Sequence, residues 1–247
     1  MFEWQWCVIF SILVLANQNF ITSIFLHRII THRAAKLTST SLSTFCRIWL
    51  WLFGFTYPNH IRYWAAMHRK HHADSDSVND PHSPQFFNFK DLVIKIGGTP
   101  GKSYYVKHED TERYSKDLPY YTDWFENNIV KRFRYPIVIV MIIYFILFGI
   151  WGILFSIIVS FIAFRQLLLM GYLTHYKGYR NKPAVDLDRS VNIFPIGVFF
   201  GGEELGANHH DNPGSPKFST KWWEFDIGWS IILVLRYFGL VKLHTDK

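Results

Sequence analysis

Twelve histidines stand beside only two cysteines, Cys7 and Cys46, in a chain of 247 residues. Eight of the histidines fall into four groups: His27 with His32, His68 with His71 and His72, His175 alone, and His209 with His210. His60, His82, His108 and His244 are scattered. Neutral imidazole is a ligand suited to iron, zinc, copper or nickel. A structural zinc site closes with four ligands, usually including cysteine, so eight histidines in four groups point to two metals. Two cysteines exclude a disulfide framework and a Cys-rich zinc site.

The spacings differ in what they imply. In the run His68-Arg-Lys-His71-His72 the offsets are i, i+3 and i+4. On a helix those three side chains lie within about 100° of arc, so little more than one turn can grip one metal, or a pair sharing the face. His27 and His32 stand five apart, about 140° on an ideal helix. Either the helix loosens after Arg28 or the two rings reach different ions. Singly, each group reads equally well as a surface pair or a basic tract; together, and on one side of the molecule, they read as a metal site.

The elements that must position them are apolar. The chain is 49% hydrophobic, 19% aromatic and only 18% charged, against roughly 25% charged in soluble domains. Residues 4–26 form a first expected span, about 34 Å long as a helix, for a hydrocarbon core of roughly 30 Å. A secretory signal peptide fits this segment less well, because it has no basic flank and no small-residue cleavage site. Residues 135–164 contain no charge and are too long for one crossing, and Gly149 and Gly152 offer a turn. The expectation is a hairpin, with spans at 135–149 and 152–174.

This topology places all 26 Lys and Arg residues on one side, as the positive-inside rule expects of a cytoplasmic face. The net charge of +7 is then a topology signal, and nucleic acid is not expected as a partner. Residues 42–55 and 229–243 read as interfacial helices. The fold class expected is an all-α, multi-pass integral membrane protein with three transmembrane spans. It forms a single domain over 1–247, with a histidine-rich cytosolic cap at 60–134 and 175–228.

The sequence resembles the integral-membrane fatty acid desaturases of the acyl-CoA Δ9 type, particularly their bacterial members. HRIITHR, from His27, is similar to the first histidine box, and WAAMHRKHHADSDSVNDPHSPQ, from Trp64, to the second with its flanks. HYKGYR around His175 is similar to the segment that adds a ligand after the hairpin. GGEELGANHHDNPGSPKFSTKWWEFDIGW resembles the third box and its C-terminal run. The resemblance implies two iron ions held by His27, His32, His68, His71, His72, His175, His209 and His210, with O2 as co-substrate. It implies a cis double bond formed near the middle of a long fatty acyl chain, supplied as acyl-CoA or lipid-linked. No side chain oxidises an alkyl C–H bond, so a metal is required. No dinucleotide fingerprint is present, so electrons come from a separate electron-transfer protein. Arg62, Lys70, Lys177 and Arg180 are candidates to steer that partner.

Three departures stand out. The family's third box is HxxHH, and Gly206 occupies its first position. Gly171 stands where an Asn is usual, and Tyr63 where an acid usually precedes the Trp. Glu203, Glu204, Asn208 or His82 are candidates to compensate or to support the ligands. The alternatives are a related lipid hydroxylase, or a non-catalytic relative with a degenerate metal site. If the gaps are the defect, Gly206→His and Gly171→Asn should raise activity.

Overall fold

The structure is a computed structural model, which describes residues 4–53, 59–94 and 107–246. Residues 54–55 of the first expected interfacial stretch and 95–106 of the expected cap lie outside them. Helix α1 (Trp4–Phe20) continues without a break into a π-wound segment, Ile21–Thr31. Helix α2 (Thr40–Leu52) begins where the Ser39 hydroxyl accepts the Leu42 amide at 3.2 Å, satisfying one of the free donors of a helix start. Helix α3 (His60–Ala73) carries the second histidine group, and α4 (His108–Ser115) packs against it.

Helices α5 (Ile137–Phe148) and α6 (Ile150–Leu173) form the expected hairpin. The turn is at Gly149, whose φ of +66° is costly for a residue with a Cβ. The short α7 (Gly206–Asp211) and α8 (Ile227–Tyr237) complete the helices. The only named strands among the described residues form two small ribbons. β1 (Ala35–Leu37) pairs antiparallel with β4 (Val241–Leu243), and β2 (Ile196–Gly197) pairs parallel with β3 (Phe225–Asp226). The fold is mostly helical, with no closed sheet among the described residues.

The unbroken helix Trp4–Thr31 is long and apolar enough to cross a membrane. α6 qualifies as a second only if its two parts, Ile150–Ala163 and Arg165–Leu173, bent by 40°, count as one. α5 has 12 residues, about 18 Å, short of a roughly 30 Å core. The hairpin packs against α1 through Val140, Tyr144, Val159 and Ala163, and its turn end projects beyond that contact. Ile146, Ile150, Trp151 and Leu154 are exposed on it, a contiguous apolar surface of the kind that meets lipid. Trp151, two residues after the turn, is 68% exposed. Trp222 is 95% exposed, a position open to an interfacial role. Cys7 and Cys46 are buried free thiols.

The core that supports the histidines lies between the π-wound segment, α2, α3 and the end of α6. Phe25, Leu26, Leu50, Ile61, Trp64 and Met67 are buried there, with Leu167 and Leu168 packed against them. Arg69 of α3 fastens this core to the first histidine group by donating to the Thr31 carbonyl at 2.6 Å. Arg69 and Arg33 also grip Asp117, and those hydrogen bonds hold its carboxyl down at about 2 against the opposing effect of burial.

Candidate metal centre

The eight histidines converge in two adjacent groups. Ring nitrogens of His27, His32, His68, His72 and His209 all lie within 4.8 Å of one another, and so do those of His71, His175 and His210. The second box is therefore divided between the groups. His68 and His72 are four apart on α3 and face together, while His71, one residue away and about 100° around the helix, faces the other group. His209 and His210 on α7 divide in the same way, their rings at 89°.

The five-residue spacing of the first box is resolved by the backbone. From Ile21 to Thr31 the helix is π-wound, and the His32 amide donates to the His27 carbonyl at 3.0 Å, an i→i+5 bond. The looser turn brings two residues five apart onto one face, with ring centroids 4.9 Å apart. Single π-turns occur often at functional sites. Of the two alternatives left by the spacing, the helix loosens; the winding changes already at Ile21, before Arg28.

Within the five-histidine group the Nε2 atoms point at one another. His27 Nε2 is 2.8 Å from His68 Nε2 and 2.9 Å from His209 Nε2, and His72 Nε2 is 3.0 Å from both. His32 Nε2 is buried with no hydrogen-bond partner among the described residues. A neutral imidazole has one N–H, so five inward-facing nitrogens cannot satisfy each other as donors and acceptors. A cation at their centre would satisfy all of them, because bonds of about 2.1 Å set neighbouring ligands roughly 3 Å apart. Burial, followed by neighbouring imidazoles, holds His32, His68, His72 and His209 well below the usual histidine range. The rings are neutral at pH 7, the form that binds metal.

The carboxylates around the groups are unequal. In the three-histidine group every Nδ1 meets an acid: His71 with Asp80 at 2.8 Å, His175 with Asp76 at 2.7 Å and His210 with Asp188 at 3.3 Å. Burial is the largest single effect and raises the Asp76 and Asp188 pKa values, but the hydrogen bonds and charge of their histidines, together with bonds from Ser83 and the Arg189 amide to Asp76 and from Ser190 to Asp188, hold both carboxyls low. In the five-histidine group His27 Nδ1 meets Glu203 at 2.8 Å, while His209 Nδ1 is buried without a partner among the described residues. An acid on Nδ1 fixes the tautomer that leaves Nε2 free to ligate, and makes the ring a better donor.

Asp76, Asp80 and Asp188 escaped the sequence reading. The signal available was the Asp-rich run directly after the second box, where Asp76 takes a φ of +55° that Asp tolerates better than most residues.

The candidate supporting residues separate clearly. Glu203 lies against His27. Glu204 accepts the Phe199 and Phe200 amides at 2.9 and 3.0 Å, and Asn208 bonds Asn192 and Glu224. His82 belongs with the site: its ring stacks on His71, centroids 4.2 Å apart. Three of the four proposed steering cations are engaged internally, whereas Lys177 is exposed. Arg62 is buried and bonds the Leu118 carbonyl, Lys70 pairs with Asp74 and Asp110, and Arg180 with Asp188 and Asp211.

A cavity runs beside the histidines, walled by Trp64, Met67, Leu92, Leu167 and Met170, with Gly171 and Gly206 also on its lining. The two glycines differ. A Cβ at Gly171 would meet nothing within 4 Å, whereas one at Gly206 would lie 2.6 Å from Thr174 Cβ and 3.1 Å from the Val191 carbonyl oxygen. Gly206→His alone is therefore expected to lower stability by about 1–3 kcal/mol rather than restore a ligand. Thr174→Gly, at the C-cap of α6 where glycine is tolerated, should recover part of the loss. Thermal unfolding of the detergent-purified variants measures this, and an unchanged midpoint for the single variant would sink the account.

A family model described as "Fatty acid desaturase" matches residues 3–232. The chain belongs to the fatty acid desaturase family. Among curated relatives, this desaturase-family chain is 30% identical over 192 residues to the sn-1 stearoyl-lipid 9-desaturase of Anabaena variabilis, covering 74% of this chain and 66% of that one. It is 30% identical over 251 residues to the hex-5-enoyl-[acyl-carrier protein] acetylenase of Moorena producens, covering 91% and 73%. To Delta-9 acyl-lipid desaturase 2 of Arabidopsis thaliana it is 29% identical over 188 residues, covering 74% and 57%. The chain thus spans less than two thirds of the length of two of these three relatives.

Proposed function

We propose that this chain is an O2-dependent fatty acyl desaturase, holding two iron ions on the eight histidines. The observation that carries the reading is the meeting of His27, His32, His68, His72 and His209, from three separate segments, in one set of converging nitrogens. The family and the relatives' names support a fatty acyl substrate. Two of those names specify position 9, which agrees with a cis double bond near mid-chain.

The overall change is balanced as an acyl –CH2–CH2– segment with O2, two electrons and two protons, giving –CH=CH– and two waters. Bound iron supplies the activation of dioxygen that no side chain provides. The chain's own residues do the rest. Trp64, Met67, Leu92, Leu167 and Met170 offer the apolar wall along which an acyl chain lies, and they keep water from the reacting carbons. Asp76, Asp80, Asp188 and Glu203 hold protons on the Nδ1 atoms of their histidines, which aims the opposite ring nitrogens inward. The electrons come from a separate protein. Three spans, a single domain and a cytoplasmic site are the arrangement that fits the charge distribution.

A second reading, a non-catalytic membrane relative with a degenerate metal site, is favoured by Gly171 and Gly206, which leave two expected side chains missing beside the histidines. Iron counted per purified chain separates the two. Two irons are expected, and none would defeat the enzyme reading. Fatty-acid profiles from a desaturase-deficient host supplied with an electron donor then test the product.

A further inference from the structure

On the two-metal reading the three-histidine group offers two imidazoles fewer than its five-histidine neighbour, and a further imidazole stands beside it. A ligand for this group cannot come from position 206, whose approach is closed by Thr174 and the Val191 carbonyl. The neighbouring cavity holds one more imidazole, that of His82, which lines it together with His71, His175, His210 and Gly171. The His82 ring stacks on His71 at a centroid distance of 4.2 Å, no farther than the 4.9–5.0 Å separating His71, His175 and His210.

Its anchoring is one-sided. The His82 amide donates to Asp80 Oδ1 at 3.0 Å, while the other oxygen of the same carboxylate receives His71 Nδ1 at 2.8 Å. One acid thus ties the His82 backbone to a member of the group. The His82 ring makes no hydrogen bond to another residue's side chain among the described residues; it is held by stacking on His71 and by its own backbone, not by a carboxylate of the kind that fixes His71, His175 and His210. Ligand atoms of His71, Asp80 and His82 already lie within 4.8 Å of one another. Gly171 leaves open space on the cavity lining, since nothing stands within 4 Å of where its side chain would begin.

We infer that His82 supplies the fourth imidazole of the three-histidine position, replacing the ligand that Gly206 lacks by turning into the cavity that Gly171 leaves open. The inference rests on the two-metal reading above. It also makes the two glycines consistent with each other: position 206 has been closed, position 171 has been opened, and a histidine borders the opening.

The test is anaerobic Fe(II) titration of the full-length apo-chain, comparing wild type with His82→Ala and His82→Phe. Phenylalanine keeps a flat ring against His71 and removes the lone pair. Wild type is expected to bind two ions. Both variants are expected to keep the first and to bind the second more than about 100-fold more weakly, exceeding the usual loss for a residue that only supports a ligand. Free imidazole should restore the second ion to His82→Ala, as a vacated ligand position allows and a packing role does not. Retention of the second ion by either variant overturns the inference while leaving the two-metal reading standing, and so does a loss in His82→Ala that imidazole fails to reverse. A wild-type chain that binds no iron overturns both.

Discussion

Alanine at His27 is expected to empty the five-histidine group of metal and to abolish desaturation. His27 is the most connected ring of that group, with Nε2 within 2.9 Å of nitrogens on both α3 and α7 and Nδ1 on Glu203. Losing a residue that only orients a ligand costs about 10–100-fold in metal affinity, and losing the ligand itself costs more. Iron content should fall by one ion per chain, and product formation in a desaturase-deficient host should become undetectable. Glu203→Gln, which keeps a hydrogen-bonding partner for His27 Nδ1, should retain metal with affinity lowered within that 10–100-fold range. Equal iron content in wild type and His27→Ala would refute the assignment of this ring.

The largest expected effect on stability lies at the neighbouring residue. Arg28 is fully buried and pairs with Glu203 at 3.3 Å and Asp226 at 3.2 Å, its guanidinium 3.6 Å above the Phe218 ring. It also bonds the Ser23 hydroxyl. Asp226 in turn accepts the Phe218 amide at 2.7 Å and caps α8 through the Trp229 amide at 3.0 Å. One cation therefore holds together the π-wound segment, the turn before α7 and the start of α8. Arg28→Ala leaves two carboxylates buried without their counter-charge, and breaking such a pair costs about 3–5 kcal/mol. The triple change Arg28→Met, Glu203→Gln, Asp226→Asn removes every charge at once and should cost less than Arg28→Ala alone. Denaturant unfolding of the purified proteins compares them; a triple variant less stable than the single one would reject this account.

Much of the centre was legible in the residue spacing. The eight histidines chosen by grouping meet, and the hairpin turns at the glycine that interrupts its uncharged run. What spacing hid is the division of labour between neighbours. His71 parts from His72, and His210 from His209, because adjacent residues on a helix point about 100° apart, and a motif written as one box conceals that. The carboxylates were hidden for another reason. Asp76 meets His175 across 99 positions of chain, a contact that only the folded topology creates, whereas Glu203, already a candidate by its place before the third box, meets His27 across 176. His82 looked scattered because its loop returns to α3 by a turn that no periodicity announces. Helix α5 occupies Ile137–Phe148 of the expected 135–149, and its 12 residues are too few by length for a roughly 30 Å core, because an uncharged run says what is apolar but not that it spans.

The π-wound first box and the α-helical second box contribute equivalent pairs to one group: five residues apart at His27 and His32, four apart at His68 and His72. Two different intervals in the sequence thus become a single spacing in space. One residue of slack in the backbone makes up the difference, absorbed by i→i+5 hydrogen bonds. A rule that counts positions between histidines treats the two boxes as distinct signatures. To an ion between the helices they are interchangeable, and the interval written in such a motif records the local winding of the helix rather than a preference of the metal.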